Sequence, residues 1–187
     1  MRKKRGFFVV ACCCIAVVFV GCCKENCKEE TKISYDFTCT ENLLDFVTPV
    51  MVFNDENGSQ KTITLQKNDF HPNPNRKTIT NGDTIYYMSV SKSLTWKQVG
   101  IRHLMVVQFQ SKNSSYPNDT LMSFSHGINA SVVANSKNNY YLSQTTTVSD
   151  KMVYDVKTYV DHLLATPDSL EVFVDGNGKV DFNEYKH

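Results

Sequence analysis

Between Val99 and Phe109, the residues Val99, Ile101, His103, Met105, Val107 and Phe109 occupy every second position. Successive side chains of a strand point to opposite faces, so these six share one face. On a helix they would scatter around the axis. The segment is therefore predicted to be a strand with one face in a core. Ile33-Ser34-Tyr35-Asp36-Phe37-Thr38-Cys39 repeats the pattern, with Ile33, Tyr35, Phe37 and Cys39 on one face. Further strands are predicted over Pro49–Phe53, Thr62–Leu65, Thr84–Val90, Leu121–Ser125, Ala130–Val133, Tyr140–Val148, Leu170–Val174 and Lys179–Phe182. Asn54-Asp55-Glu56-Asn57-Gly58 reads as a hairpin loop. Asp69–Thr80, with two prolines and two asparagines, reads as a loop.

One segment breaks the period. Met152, Val156, Tyr159, Val160, Leu163 and Leu164 recur at helical spacing, Ser149 or Asp150 offers an N-cap, and Pro167 ends the run. A lone amphipathic helix in a strand-rich chain is expected to cover a sheet edge or one end of a sandwich. Short strands at this spacing favour an antiparallel sandwich over alternating βαβ units. The fold class expected is mainly β (α+β): an Ig-like antiparallel β-sandwich with one C-terminal amphipathic helix followed by a β-hairpin.

The N-terminus carries an address. Arg2-Lys3-Lys4-Arg5 precede Phe7–Val20, 14 uncharged residues, and Gly21 then stands before Cys22. The apolar run fits a signal h-region and falls short of the roughly 20 residues of a spanning helix. Extending the run from Gly6 to Cys23 leaves an uncleaved anchor as the alternative. A basic n-region, an apolar h-region and a small residue before a cysteine resemble the signal of bacterial lipoprotein precursors. The resemblance implies cleavage after Gly21 and acylation of the Cys22 thiol and amine, palmitate included. Two or more acyl chains hold a protein firmly at a membrane, whereas one does so marginally. The chain then divides into a signal peptide (1–21), a lipidated polar tether (22–32) and a single domain (33–187).

Cleavage changes the charge and the cysteine count. Four of the twenty basic residues lie in 1–21, which holds no acid, leaving 16 basic and 19 acidic residues, net −3. No basic stripe remains, so nucleic acid is not an expected partner. Cys12, Cys13 and Cys14 leave with the signal. Cys23 and Cys27 stand in the tether, where an oxidising envelope permits a disulfide. Cys39 reads as a small core residue.

Candidate chemistry is sparse. Asp175-Gly176-Asn177-Gly178-Lys179-Val180-Asp181-Phe182-Asn183-Glu184 resembles a calcium loop, with Asp175, Asn177, Asp181 and Glu184 at ligand positions. Phe173 stands at the first ligand position and the flanks alternate like strands, so a β-hairpin turning on its glycines is the expected structure and calcium the minor alternative. No nucleophile elbow, phosphate loop or zinc-protease motif is present. Ser125 and His126 are neighbours on a strand and point apart. His103 reads as a core or edge histidine. An enzyme would show a deep pocket with converging carboxylates, or with His103 and His126. Trp96 and Tyr116 lie near loop-like stretches and are the candidate ligand aromatics. In each of the pairs Tyr86-Tyr87 and Tyr140-Tyr141, one ring is expected to face inward.

The run Phe37-Thr38-Cys39-Thr40-Glu41-Asn42-Leu43-Leu44-Asp45-Phe46-Val47-Thr48-Pro49-Val50, with the later Asn57-Gly58 turn and the helix-then-hairpin ending, resembles small Bacteroidetes-type lipoproteins of uncharacterised function. Glu25, Glu29 and Glu30 after the lipid cysteine are similar to surface-export signals of that group, with Cys23 and Lys24 intervening. The resemblance implies an Ig-like sandwich on the outer membrane, with the cell surface favoured over the periplasmic face. It transfers no active site and no cofactor. The function expected is a non-enzymatic surface interaction module for adhesion or for glycan or protein capture. The alternatives are a structural envelope lipoprotein or a hydrolase acting on envelope or dietary polymers.

Overall fold

The computed structural model describes residues 30–80, 82–134, 138–146 and 154–184. The signal segment, Cys22, Cys23 and Cys27 lie outside the described residues. The described elements are β1 (Thr31–Thr40), β2 (Val47–Asn54), β3 (Gln60–Thr64), β4 (His71–Thr80), β5 (Asp83–Trp96), β6 (Ile101–Ser111), β7 (Leu121–Met122), β8 (His126–Ala134), β9 (Asn138–Thr146), β10 (Tyr154–Asp155), α1 (Val156–Ala165), β11 (Asp168–Val174) and β12 (Val180–Glu184). They form two five-stranded antiparallel sheets, ordered β4-β5-β1-β8-β9 and β12-β11-β6-β2-β3, with β10-β7 as a small ribbon. The described residues thus form an antiparallel β-sandwich with one α-helix, followed by a hairpin.

The alternating faces meet at the centre. Ile33, Tyr35, Phe37 and Cys39 of β1 are fully buried. Across the layer, Ile101, His103, Met105, Val107 and Phe109 of β6 are buried, while Arg102, Leu104, Gln108 and Gln110 turn outward and are exposed. Phe37 packs on Phe70 and Phe109, with ring centroids 6.1 Å apart in each case. Each large buried side chain contributes about 1.5–3 kcal/mol by leaving water, and the apolar stripes of β1 and β6 supply much of the core.

Two of the hairpins turn on the same four-residue pattern, Asp-x-Asn-Gly. Asp55-Glu56-Asn57-Gly58 joins β2 to β3, and Asp175-Gly176-Asn177-Gly178 joins β11 to β12. In each, the aspartate Oδ1 accepts two backbone amides: Asn57 (2.9 Å) and Ser59 (3.0 Å) in the first loop, Asn177 and Lys179 (2.8 Å each) in the second. Gly58 and Gly178 follow at φ 76° and 81°, a left-handed backbone that closes a type I turn with a bulge. Gly178→Ala is expected to cost about 1–2 kcal/mol, because a Cβ disfavours that conformation. The melting temperature should fall by a few degrees in a thermal scan.

Four boundaries differ from the sequence reading. The tether expected to reach Lys32 ends earlier: Thr31 is fully buried, pairs with Trp96 and Ala134, and donates its hydroxyl to the Gln98 carbonyl (3.0 Å). Asp69–Thr80, expected as a loop, contains strand β4, which tolerates its prolines because it lies at the sheet edge and bulges between Asn73 and Lys77. The strand expected over Leu121–Ser125 pairs only at Leu121 and Met122, because Ser123–Ser125 lead into β8. The helix begins at Val156 with Asp155 as its cap, in place of Ser149 or Asp150, which lie outside the described residues. The Asp155 carboxylate accepts the Thr158 amide and hydroxyl (3.0 Å each). Those bonds, the amide first, hold the Asp155 carboxyl below the usual carboxylate range.

The registers give the sandwich two distinct ends. The chain enters at Thr31, beside Trp96 and Ala134, and the 55–59, 97–100 and 175–179 loops lie at that end. Thr40, His126, Ser111 and Asp168 lie toward the other end, with α1 across it. The ten residues of β1 separate the two ends by about 30 Å.

Candidate functional site

The far end of the sandwich holds a cavity of about 360 Å³, lined by His126, Tyr154, Thr158, Tyr159, His162, Leu163, Thr166 and Asp168. Three elements meet there. His126 opens β8 directly opposite Cys39, so its ring shares the inward face of that residue. The lead-in is pinned to the end of β1, where the Thr40 amide donates to the Ser125 carbonyl (2.9 Å) and the Ser125 amide to Thr40 Oγ1 (3.3 Å). Asp168 opens β11 opposite Val107 in the other sheet. Tyr159 comes from the buried face of α1 and stacks on Phe124 at 4.9 Å.

His126 joins these parts. Its Nε2 stands 2.8 Å from Asp168 Oδ2, at ion-pair distance but outside hydrogen-bond angles. Its Nδ1 lies 2.8 Å from the Tyr159 hydroxyl. In the tautomer with the proton on Nε2, Nδ1 is the acceptor and Tyr159 donates to it. The bridge links the two sheets and the helix through one buried imidazole. Burial pushes the Tyr159 phenol up, and the Asp168 carboxylate adds to the rise, so the hydroxyl keeps its proton. Tyr154 completes the wall, its ring centroid 5.3 Å from that of Tyr159.

His103 behaves differently. It lies six residues from Phe109 along β6, about 20 Å of strand, whereas His126 packs against Phe109 at 5.4 Å. The two histidines therefore do not converge. His103 donates from Nε2 to the Asn54 carbonyl (2.9 Å) and accepts the Tyr35 hydroxyl at Nδ1 (2.6 Å). Phe53, Trp96 and Tyr35 pack around it. Burial depresses its pKa below that of a free histidine. It is a partnered core histidine.

The remaining candidates fall as follows. Trp96, expected near the surface, is only 5 % exposed. It ends β5 opposite the buried Thr31, so its ring turns inward and meets His103 edge-on at 4.8 Å. Tyr116 packs on Phe46 and donates its hydroxyl to the Phe46 carbonyl (3.2 Å), with Ser111 also against it, so its polar tip is already engaged. Of the first tyrosine pair, Tyr87 is buried and Tyr86 is 37 % exposed; the side chains of Tyr140 and Tyr141 lie outside those described. Cys39 is a buried free thiol whose pKa burial raises. In the 175–184 segment, Asp175 spends its carboxylate on its own loop amides, while Asp181 pairs with Phe173 and Glu184 with Leu170 along the hairpin. Among the described residues no three His, Cys, Asp or Glu side chains gather at metal-binding distance.

Asp168, Tyr154, Thr158 and Thr166 were not singled out from the sequence as site residues. Tyr159 was expected only as part of the helix core. The one local signal is the polar His126 at the inward end of an otherwise apolar strand, which requires a buried partner. No helix among the described residues is long and apolar enough to cross a membrane. Comparison with family models, curated proteins and solved structures finds no match to this chain.

Proposed function

We propose that the chain is a lipid-anchored cell-envelope protein, acylated at Cys22, held on the outer membrane and displayed at the cell surface, where its domain acts as a non-enzymatic module for adhesion or glycan or protein capture. The observation that carries this reading is the polarity of the sandwich. The strand that follows the tether begins at Thr31, nine residues after Cys22, and the cavity around His126 opens about 30 Å away at the other end of β1. An anchor at one end would hold the binding end away from the lipid. A cavity of about 360 Å³, walled by tyrosine rings and Leu163 with a few polar groups, suits a small ligand or the tip of a larger one.

The hydrolase alternative draws support from the pairing of His126 with Asp168 inside a cavity. Against it, both nitrogens of His126 are engaged, so neither faces a nucleophile. Asp168 is the one carboxylate lining the cavity among the described residues, whereas glycoside hydrolysis generally uses two.

Protease treatment of intact cells, followed by blotting, tests the reading. Loss of the domain while periplasmic controls survive is the expected result. Full protection would place the domain on the periplasmic side and favour a structural envelope role.

A further inference from the structure

We propose that the cavity around His126 binds a protonated amine, carried by a small molecule or by a lysine side chain. This rests on the reading of the cavity as a ligand pocket and specifies the chemistry of its ligand.

The cavity's charge is one-sided. Asp168 contributes a carboxylate whose side chain is 26 % exposed, and no lysine or arginine lines the space. His126 stands on the enclosed side of that carboxylate, with Nε2 2.8 Å from Oδ2 and Nδ1 2.8 Å from the Tyr159 hydroxyl. Asp168 Oδ2 itself is enclosed against His126, so a ligand would meet the carboxylate at the part of the side chain that stays exposed.

The helix adds to this field. His162, Leu163 and Thr166 line the cavity from the last turn and C-cap of α1, where the final carbonyls carry partial negative charge and favour cations. Tyr154 and Tyr159 bring aromatic rings, whose faces attract ammonium groups. Leu163 supplies an apolar contact for the carbon chain behind such a group. An anionic ligand would be repelled by the Asp168 carboxylate and the helix carbonyls, and a neutral alcohol would leave their field unanswered.

The test is calorimetric titration of the full-length acylated protein in detergent micelles, at constant ionic strength. The probes are n-butylammonium, the neutral alcohol n-pentanol, which is one methylene longer, and Nα-acetyl-lysine N-methylamide as the lysine-borne source. The expected result is saturable binding of n-butylammonium, with n-pentanol weaker by at least about tenfold. Binding of the lysine derivative with equal or greater affinity would assign the site to a protein partner, and weaker binding would assign it to a small amine. Asp168→Asn should weaken butylammonium binding by about tenfold or more. Tyr154→Leu should weaken it by roughly threefold. That variant leaves the His126 bridge in place, so it serves if Asp168→Asn fails to fold. Equal binding of n-pentanol and n-butylammonium, no binding of either amine, or an Asp168→Asn variant that binds like the wild type would overturn the proposal. Amine binding that fails in a protein still displayed at the surface would retire the amine alone. A protease-protected domain would retire the surface-module reading whatever the titration shows.

Discussion

His103→Leu is expected to lower the stability of the domain by about 2–3 kcal/mol, read from urea unfolding at neutral pH. The imidazole is nearly enclosed and answers two groups at once, the buried Tyr35 hydroxyl and the part-buried Asn54 carbonyl. Leucine fills similar space but answers neither, and each orphaned buried group costs roughly 1–3 kcal/mol. Tyr35 is fully buried, so water cannot replace the lost acceptor. Adding Tyr35→Phe to His103→Leu should recover part of the loss, because it removes one of the two orphans. The same histidine makes the fold acid-sensitive. Its folded pKa lies below the unfolded value of about 6.5. Between those two values the unfolded chain binds the extra proton, so the contribution of neutral His103 is complete above about pH 6.5 and is lost as pH falls through that window. Unfolding between pH 5 and 7.5 should show this slope in the wild type, and a shallower one in His103→Leu. Equal slopes would remove His103 as the cause.

Cys22→Ser is expected to move the protein from the membrane fraction to the soluble fraction and to abolish labelling by palmitate. Among the described residues no helix is long and apolar enough to cross a membrane. Acyl chains supply about 0.8 kcal/mol per buried methylene, so their removal is a change of many powers of ten in partitioning. The variant should keep the fold, because the described core is built from Ile33 onward. Continued membrane association with a normal melting temperature would favour the uncleaved apolar segment as the anchor.

Legibility from sequence followed the range of the interactions. The strand faces of β1 and β6 were readable because alternation is a local property, and each buried position in Ile33–Cys39 and Ile101–Phe109 matches it. The two Asp-x-Asn-Gly turns were readable because the aspartate and glycine that close them lie within four residues. Strand β4 was not, since prolines and asparagines signal a loop unless the strand is known to be an edge. The helix cap was misplaced because Ser149, Asp150 and Asp155 all suit an N-cap, and only the Tyr154–Asp155 pairing with β7 fixes the start. Trp96 was misjudged because its burial depends on Thr31, across the sheet. The His126 site was least legible. Its partners come from the other sheet and from a helix 33 residues away, and a single carboxylate needs no motif to arrive there.

The most direct measurement is mass spectrometry of the N-terminal peptide of the protein extracted from membranes of its native host. Cleavage after Gly21 and lipid modification predict a peptide that begins at Cys22 and carries the mass of a diacylglyceryl group, with or without an N-acyl chain. A peptide that retains residues 1–21, or one that begins at an unmodified Cys22, would contradict lipid anchoring and with it the display of the His126 cavity from a tethered domain.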